Sequence, residues 1–442
     1  MTDQKNRAGV LTAHQAPNAW RIVCVLTLAN LLNFYDRAVP AIVIEPIKDE
    51  FGLSDLAIGV LSGAFTVVYA VAGIAVGRMA DRGSRRTIMA VGLLVWSIFT
   101  AAGGGAWSFA SLLIFRLAVG VGEASYAPAA NSLLADLFPA AKRSRAIAVF
   151  QFGQPLGLTL AFFTTGAIAD AFGSWRAPFV IAAVPGFLVA VAMMFIKEPE
   201  RGASEERPTT ISPVHQPIRV VLRIPTMWWL ILSGIGLQIA AYAVATFLVP
   251  LFQRYFELSL VRAATNAGIV LGLSGILGLL FAGIVAERAA RRSRRLRLTY
   301  ASVSLAASVP LTFWALTLPH TATSAFVLIF SVAWFLQFAF YVAAYPAVAD
   351  VIEPRLRATG IAVLFAAFYL LGGALGPVVV GALSDQFGDD TIGLRFALLA
   401  VVPSALAVAA AGLFGASATV EHDHALSMKT PKTALVPATR QP

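Results

Sequence analysis

The sequence predicts an all-α membrane protein of twelve transmembrane helices in two pseudo-symmetric six-helix bundles. Three observations predict it: a composition too apolar for a water-soluble globule, twelve apolar runs of bilayer length, and basic loops that recur half a chain apart. Of 442 residues, 58% are hydrophobic and 13% charged, whereas soluble chains carry roughly a quarter charged. Lipid is the expected solvent. The net charge of +10 does not point to nucleic acid, because the basic residues fall between apolar runs and form no patch on a soluble domain. The one cysteine, Cys24, lies inside the first run, so neither a disulfide nor a metal-ligand set is expected, and no cofactor is implied.

Residues 1–19 read as a polar cytoplasmic segment without the short apolar run and cleavage site of a leader. A spanning helix needs roughly 20 apolar residues. Such runs cover 20–46, 55–77, 87–105, 109–136, 146–170 and 175–196, then 227–252, 263–286, 298–318, 321–350, 358–383 and 391–416. Residues 20–196 and 227–416 are thus the two bundles. Residues 197–226, with Pro, Ser, Glu and Arg, read as a flexible cytoplasmic linker, and 417–442 as a disordered cytoplasmic tail. Of 33 Lys and Arg, five lie outside (Lys48, Arg176, Arg254, Arg262, Arg395), two lie within spans (Arg37, Arg116), and the other 26 are cytoplasmic if the N-terminus is inside. That bias predicts an even span count with both termini cytoplasmic.

Gly77-Arg78-Met79-Ala80-Asp81-Arg82 closes span two, and Gly283-Ile284-Val285-Ala286-Glu287-Arg288 closes span eight. Asp136, Arg143 and Ala146-Ile147-Ala148-Val149 are echoed by Asp350, Arg357 and Gly360-Ile361-Ala362-Val363. Equivalent loops in equivalent halves indicate a duplicated bundle, with the substrate site between the halves near the midplane.

The stretch Gly77 to Arg86, GRMADRGSRR, resembles the cytoplasmic signature loop of the major facilitator superfamily. Leu32-Asn33-Phe34-Tyr35-Asp36-Arg37, Glu45-Pro46-Ile47, Phe51-Gly52-Leu53-Ser54-Asp55 and Arg116 to Pro128, RLAVGVGEASYAP, resemble the Spinster-like branch. The resemblance implies a secondary transporter working by alternating access on a sphingolipid or lysophospholipid. The pattern of Asn, Asp and Arg in span one is also similar to organic-anion symporters of the superfamily. By the same resemblance Gly77, Asp81, Arg82, Arg85, Arg86 and Glu287 form a conformational gate, with Asp81 contacting the facing half when the carrier is open outward.

A charge at the centre of a span costs roughly 2.5–3.5 kcal/mol on insertion scales. Asp36, Arg37, Arg116 and Glu123 are the charges well inside spans, all in the first half. Asp36 lies roughly 24 Å into a core about 30 Å thick; Arg116 and Glu123 lie about 10 and 20 Å down span four from the other face. Arg116 and Glu123 are two turns apart on one face. The expectation is a triad of Asp36, Arg116 and Glu123 facing the cavity. One arginine neutralises one carboxylate, so the less well-paired acid takes up a proton in a poorly hydrated site. Asp36 and Glu123 are the expected proton acceptors and Arg116 the cation whose pairing switches, a role the Spinster resemblance also implies; the competing reading is a static ion pair. Arg37 can grip an anionic headgroup through two hydrogen bonds or serve as a local partner of Glu123 or Asp36.

The second half is expected to carry no buried charge. Gln238 and Tyr242 share a face of span seven, and Gln337, Tyr341 and Tyr345 form a stripe on span ten. With Asn33, Arg37, Tyr126 and Gln154 they make up the candidate substrate contacts, for a small amphipathic solute with its head to one wall and its body to the other. Gly153 to Gly157 in span five and Gly372 to Pro377 in span eleven suit bending or close packing. No nucleotide-binding loop is present, and the histidines (His14, His215, His320, His422, His424) fall in loops, linker or tail, which disfavours a pump or a membrane enzyme. The expected partners are the substrate, protons and the lipid bilayer, the expected state a monomer, and the expected home a bacterial inner membrane.

Overall fold

The computed structural model describes residues 19–199, 216–353, 356–387 and 390–429. The N-terminal segment before Ala19, linker residues 200–215 and the tail beyond 429 lie outside the described residues.

Twelve helices among the described residues are long and apolar enough to cross a membrane. Spans one to six are Ala19–Ile42, Asp55–Ala80, Arg85–Gly104, Phe109–Leu137, Arg145–Ala171 and Ala177–Met194. Spans seven to twelve are Pro225–Arg254, Leu260–Ala290, Arg294–Thr317, Thr323–Val351, Thr359–Gln386 and Thr391–Leu426. Their starts follow local chemistry. Ser54, Ser84, Ser108 and Ser293 each accept the backbone N–H of the residue three positions on, satisfying donors that a helix leaves free at its N-terminus.

Several expected boundaries move. Span one ends at Ile42, and a separate helix, Ile44–Phe51, follows the bend at Val43. Pro40 and Pro46 flank that bend, and each lacks a backbone donor. Gly52, at φ 60°, closes the short helix in a conformation that favours glycine. Spans four and ten are both interrupted, at Ser125 and at Phe338, so the duplicated halves share a kink. Spans eight and eleven contain π-helical segments, Gly268–Leu273 and Phe368–Gly373.

The tail is not irregular from Ser417, as its polarity suggested, because the last helix continues to Lys429. Its charged residues have partners. Asp423 accepts from the Thr226 backbone N–H at 2.9 Å and hydroxyl at 2.6 Å, capping span seven, and His424 Nδ1 lies 2.6 Å from the Asp350 carbonyl. The second half does bury charge, at its span ends: Arg297 is 8% and Asp423 5% exposed.

Within the halves, spans one and five, three and six, and two and four pack together, as do seven and eleven, nine and twelve, and eight and ten. Between halves the main seams join two to eleven and five to eight. We call the side carrying Arg85, Arg143, Arg291 and Arg294 the basic side and the opposite one the distal side. Toward the distal side, residues such as Val39, Ile47 and Phe162 of the first half share one apolar core with the second. Toward the basic side the first half has its own core, around Leu26, Trp96 and Leu133. The bundles are therefore joined distally and apart at the basic side.

Candidate functional site

Asp36 and Glu123 are both 1% exposed, and Arg116 5%. Sequence placed these three together and the structure does so, but the pairing differs from expectation. Arg37 Nε donates to Glu123 Oε2 at 2.6 Å. Arg116 Nη1 reaches only the backbone carbonyl of Asp36, at 3.5 Å, and its guanidinium sits 4.7 Å from the Phe65 ring centroid. It forms no ion pair among the described residues. Seven residues along a helix is about 10 Å, too far for Arg116 to serve Glu123 while anchored at Asp36, whereas Arg37 arrives from span one at the level of the carboxylate. The site is thus a tetrad in which Arg37, as one of its two expected readings had it, is the local partner of Glu123, and Arg116 is not.

Asp36 makes no ion pair among the described residues, although the Arg116 guanidinium lies near it. Its Oδ2 accepts a long bond from Thr100 Oγ1, 3.4 Å, and its Oδ1 has no partner. Glu123 Oε1, Arg37 Nη2 and Asn33 Nδ2 are likewise buried and unpartnered. Aromatic faces hold the Arg37 guanidinium, 4.1 Å from Tyr69, 4.9 Å from Phe34 and 5.7 Å from Phe65, a favourable arrangement for a desolvated cation.

The aromatic wall of the second half faces this cluster. Tyr369 meets Tyr69 across the bundles at 6.1 Å and Tyr242 at 6.3 Å, both edge-on. Tyr341 donates to Gln238 Oε1 at 3.1 Å and stacks obliquely on Tyr345. Gln238, Tyr242 and Tyr341 are therefore a connected surface, with Gln337 buried at the break of span ten. Gln154 is exposed on span five. Tyr126 is packed away from that surface, 1% exposed. Its ring packs between Trp96 and Phe150 and its hydroxyl donates to the Leu26 carbonyl, because the helix restart after Ser125 turns it into the bundle core.

Sequence reasoning missed Tyr69, Tyr369 and Thr100, which carry no periodic signal in apolar spans. It also missed a distal network between the halves. Arg254 Nε and Nη2 donate to Glu45 at 2.9 and 2.6 Å, and Nη1 and Nη2 to Asp55 at 2.8 Å each. Asp55, fully buried, also accepts from Lys48 at 2.9 Å and Ser384 at 2.6 Å. Asp385 of span eleven accepts the backbone N–H groups of Asp55 and Leu56 at 2.9 Å each, capping span two from the other bundle. A Cβ on Gly59 would lie 2.4 Å from the Pro377 carbonyl oxygen, so this seam requires glycine there. The signal that was available is the Ser54-Asp55 helix start.

On the basic side, Arg85 is 1% exposed and pairs with Asp136 and, at 2.8 Å, Glu198. Burial would raise the Glu198 carboxyl, but hydrogen bonds from Arg85, Ser84 and the backbone N–H groups of Arg85 and Arg86 outweigh it and bring it down to about 2. Arg297 and Asp350 repeat the motif at 2.5 Å, with Arg294 and Glu421 beside them at 3.9 Å. The repeated Asp136 and Asp350 read from sequence thus do equivalent work. Arg86 donates to the Ile196 carbonyl. Arg85 and Arg86 bind within their own half, so neither is a contact between halves. Glu287 pairs with Arg291 on its own helix, both exposed. A Cβ on Gly77 would meet nothing, and the side chains of Asp81 and Arg82 lie outside the described residues.

The sequence profile of the Major Facilitator Superfamily matches residues 26–341. An MFS-type efflux pump of Mycolicibacterium smegmatis is 32% identical over 413 residues, covering 93% of this chain and 95% of its own. Protein spinster homolog 1 of Xenopus tropicalis is 30% identical over 416 residues, covering 87% and 76%. The crystal structure of a bacterial homolog to the human lysosomal transporter Spinster, in an inward-facing and unoccupied conformation, superposes with a TM-score of 0.85 at 28% identity, over 92% of this chain and 98% of that one.

Proposed function

Because this chain belongs to the Major Facilitator Superfamily, in its Spinster branch, we propose that it is a proton-coupled secondary transporter moving an amphipathic anionic or zwitterionic lipid-like substrate of lysophospholipid or sphingoid type. The observation that carries the reading is the unequal pairing of two buried acids: Glu123 has Arg37 at 2.6 Å, whereas Asp36 has no ion-pair partner among the described residues. A buried carboxylate without an ion pair favours protonation, and a proton bound there changes the charge of the cluster that a substrate meets. Arg37 supplies the substrate end of the coupling. Its unpartnered Nη2 can grip a phosphate or carboxylate, drawing the guanidinium from Glu123. The tyrosines of the second half offer an apolar wall with hydroxyl tips, suited to the body of such a molecule.

Alternating access follows from the fold. Bundles joined at the distal side and apart at the basic side correspond to the inward-facing conformation of the Spinster homolog, with the basic side cytoplasmic and the membrane a bacterial inner one. The Glu45–Asp55–Arg254 network then closes the outer gate. Export of drugs or small organic anions is the second reading, favoured by the efflux pump of M. smegmatis at 32% identity.

The test is proton flux in proteoliposomes under an imposed pH gradient, challenged in turn with lysophospholipids, sphingoid phosphates, small organic acids and cationic drugs. Flux evoked by one lipid class and lost in Asp36→Asn supports the proposal. Flux evoked by drugs or organic acids alone selects the second reading. Substrate movement indifferent to both gradient and substitution leaves a facilitated carrier with a structural ion pair.

A further inference from the structure

The short distal helix Ile44–Phe51 carries two sets of contacts. Glu45 and Lys48, three positions apart, share a face. Glu45 accepts from Arg254 of the second half at 2.6 and 2.9 Å, and Lys48 donates to Asp55 of the first half at 2.9 Å. Glu50 lies about 140° from Glu45 and about 200° from Lys48 around the helix, and its hydrogen bonds go to the first half. Its Oε2 accepts from Trp175 Nε1 and Arg176 Nη1 at 2.7 Å each, and its Oε1 from Arg176 Nη2 at 2.6 Å. Arg176 Nη2 also donates to the Ala106 carbonyl at 3.0 Å. One guanidinium thus joins the short helix to the loop between spans three and four and to the start of span six. The Trp175 ring, 6% exposed, meets Phe51 at 6.0 Å and Phe179 of span six at 5.8 Å, both edge-on.

The chain links at the two ends of this helix do not fix its orientation. It follows span one after the non-helical Val43, and it leads to span two through Gly52 in the left-handed conformation. A single exposed ion pair contributes little, but a bidentate arginine, an indole donor and two ring contacts together make a joint. We propose that Arg176 and Trp175 are positioning residues of the outer gate, which hold the short helix to the first half through Glu50 so that Glu45 meets Arg254 in a fixed place. The inference rests on the outer-gate reading of the distal network above. Hydrogen bonds from Arg176 and Trp175 bring the Glu50 carboxyl down to about 2, so the joint stays ionised at neutral pH. It also sets where the network parts. When the halves separate, Arg254 leaves with the second half. Lys48, held through Glu50, stays with Asp55, which would otherwise be a buried carboxylate stripped of its cations.

The experiment uses pairs of spin labels on the reconstituted full chain in a Cys24→Ser background. Labels at Asp49 and Trp107, both exposed and in the first half, read whether the short helix stays attached. Labels at Trp107 and His320, exposed in distal loops of opposite halves, read gate opening without touching the short helix. Arg176→Gln and Glu50→Gln are each expected to broaden the first distribution and to move the second about fivefold toward separated distal ends. With Glu45→Ala already present, the arm has lost its contact with Arg254, so Arg176→Gln is expected to add less than about twofold. A first distribution as narrow as the parent's in both variants overturns the inference. Broadening without a change in the second distribution also overturns it, because the joint would then be structural only. An undiminished shift on top of Glu45→Ala shows that Arg176 does not act through the arm and overturns it as well. Glu45→Ala and Arg254→Ala both at the parent's separation are the separate failure of the outer-gate reading.

Discussion

Replacing Arg254 with alanine removes the centre of the distal network. Arg254, whose side chain is 8% exposed, spans Glu45 and Asp55 with four hydrogen bonds of 2.6–2.9 Å. Among the described residues, the Asp55 carboxylate then keeps only Lys48 and Ser384, and Glu45 loses its ion pair. Removing one member of a buried ion pair costs about 3–5 kcal/mol. The cost falls on the conformation with the distal ends joined, because in a separated state these groups are hydrated. At about 1.4 kcal/mol per tenfold, the balance moves at least a hundredfold toward separated distal ends. Spin labels at Asp49 and Arg262, both exposed and on opposite halves, read this directly as a longer distance in a Cys24→Ser background. Arg254→Lys, with one point charge in place of a fork, is expected to fall between. A distance distribution in Arg254→Ala identical to that of the parent, in protein that remains folded, would refute the assignment of the network as a gate.

Arg37→Ala strands Glu123, so thermal melting in detergent is expected to show a loss of about 3–5 kcal/mol, largely recovered by adding Glu123→Gln; no recovery would mean that Arg37 acts through its aromatic contacts alone. Tyr126→Phe deletes one buried hydrogen bond and should cost about 1 kcal/mol with substrate affinity unchanged. A weakened affinity would return Tyr126 to the cavity. The Glu198 carboxyl is held at about 2 against an ordinary 4.5, so its contribution is full above about pH 4.5 and is lost as pH falls toward 2. The acid-denaturation profile of Glu198→Gln is expected to be flatter than that of the parent in that window, and superimposable profiles would count against the Arg85 cluster as a stability element.

The fold was legible because its signals are additive over many residues. Apolar length and the sign of loop charge each integrate over a span, and the repeated Asp136 and Asp350 match down to an arginine partner in each half. Asp36 and Glu123 stood out because an acid within a span is costly and persists only where it has a partner or a task. Which arginine meets which acid was not legible. It depends on the rotation of span one about its axis and on the reach of a flexible side chain, and the charges alone allow both arrangements. The setting of Tyr126 was not legible because the interruption at Ser125 reorients the following turn: Pro128, with no N–H for the Ala124 carbonyl, marks the break but not the azimuth that follows it. The helical tail escaped because Asp423 and Glu421 read as solvated charges in a sequence that does not reveal their partners Thr226 and Arg294.

The π-helical segments at Gly268–Leu273 and Phe368–Gly373 bear on how far the two halves can be read through each other. A π turn holds one residue more than an α turn, and one extra residue shifts the azimuth of everything beyond it by about 100°. Spans two and five, the counterparts of eight and eleven, run as uninterrupted α-helix. A single offset can therefore hold on only one side of each π segment: beyond it for Gly77–Arg82 and Gly283–Arg288 in spans two and eight, and before it for Ala146–Val149 and Gly360–Val363 in spans five and eleven. Offsets that match Asp136 to Asp350 are sound for spans four and ten. Across the π segments of spans eight and eleven the same arithmetic would assign a residue to the wrong side of its helix, and the ancestral copy of a cavity residue has to be sought one position away.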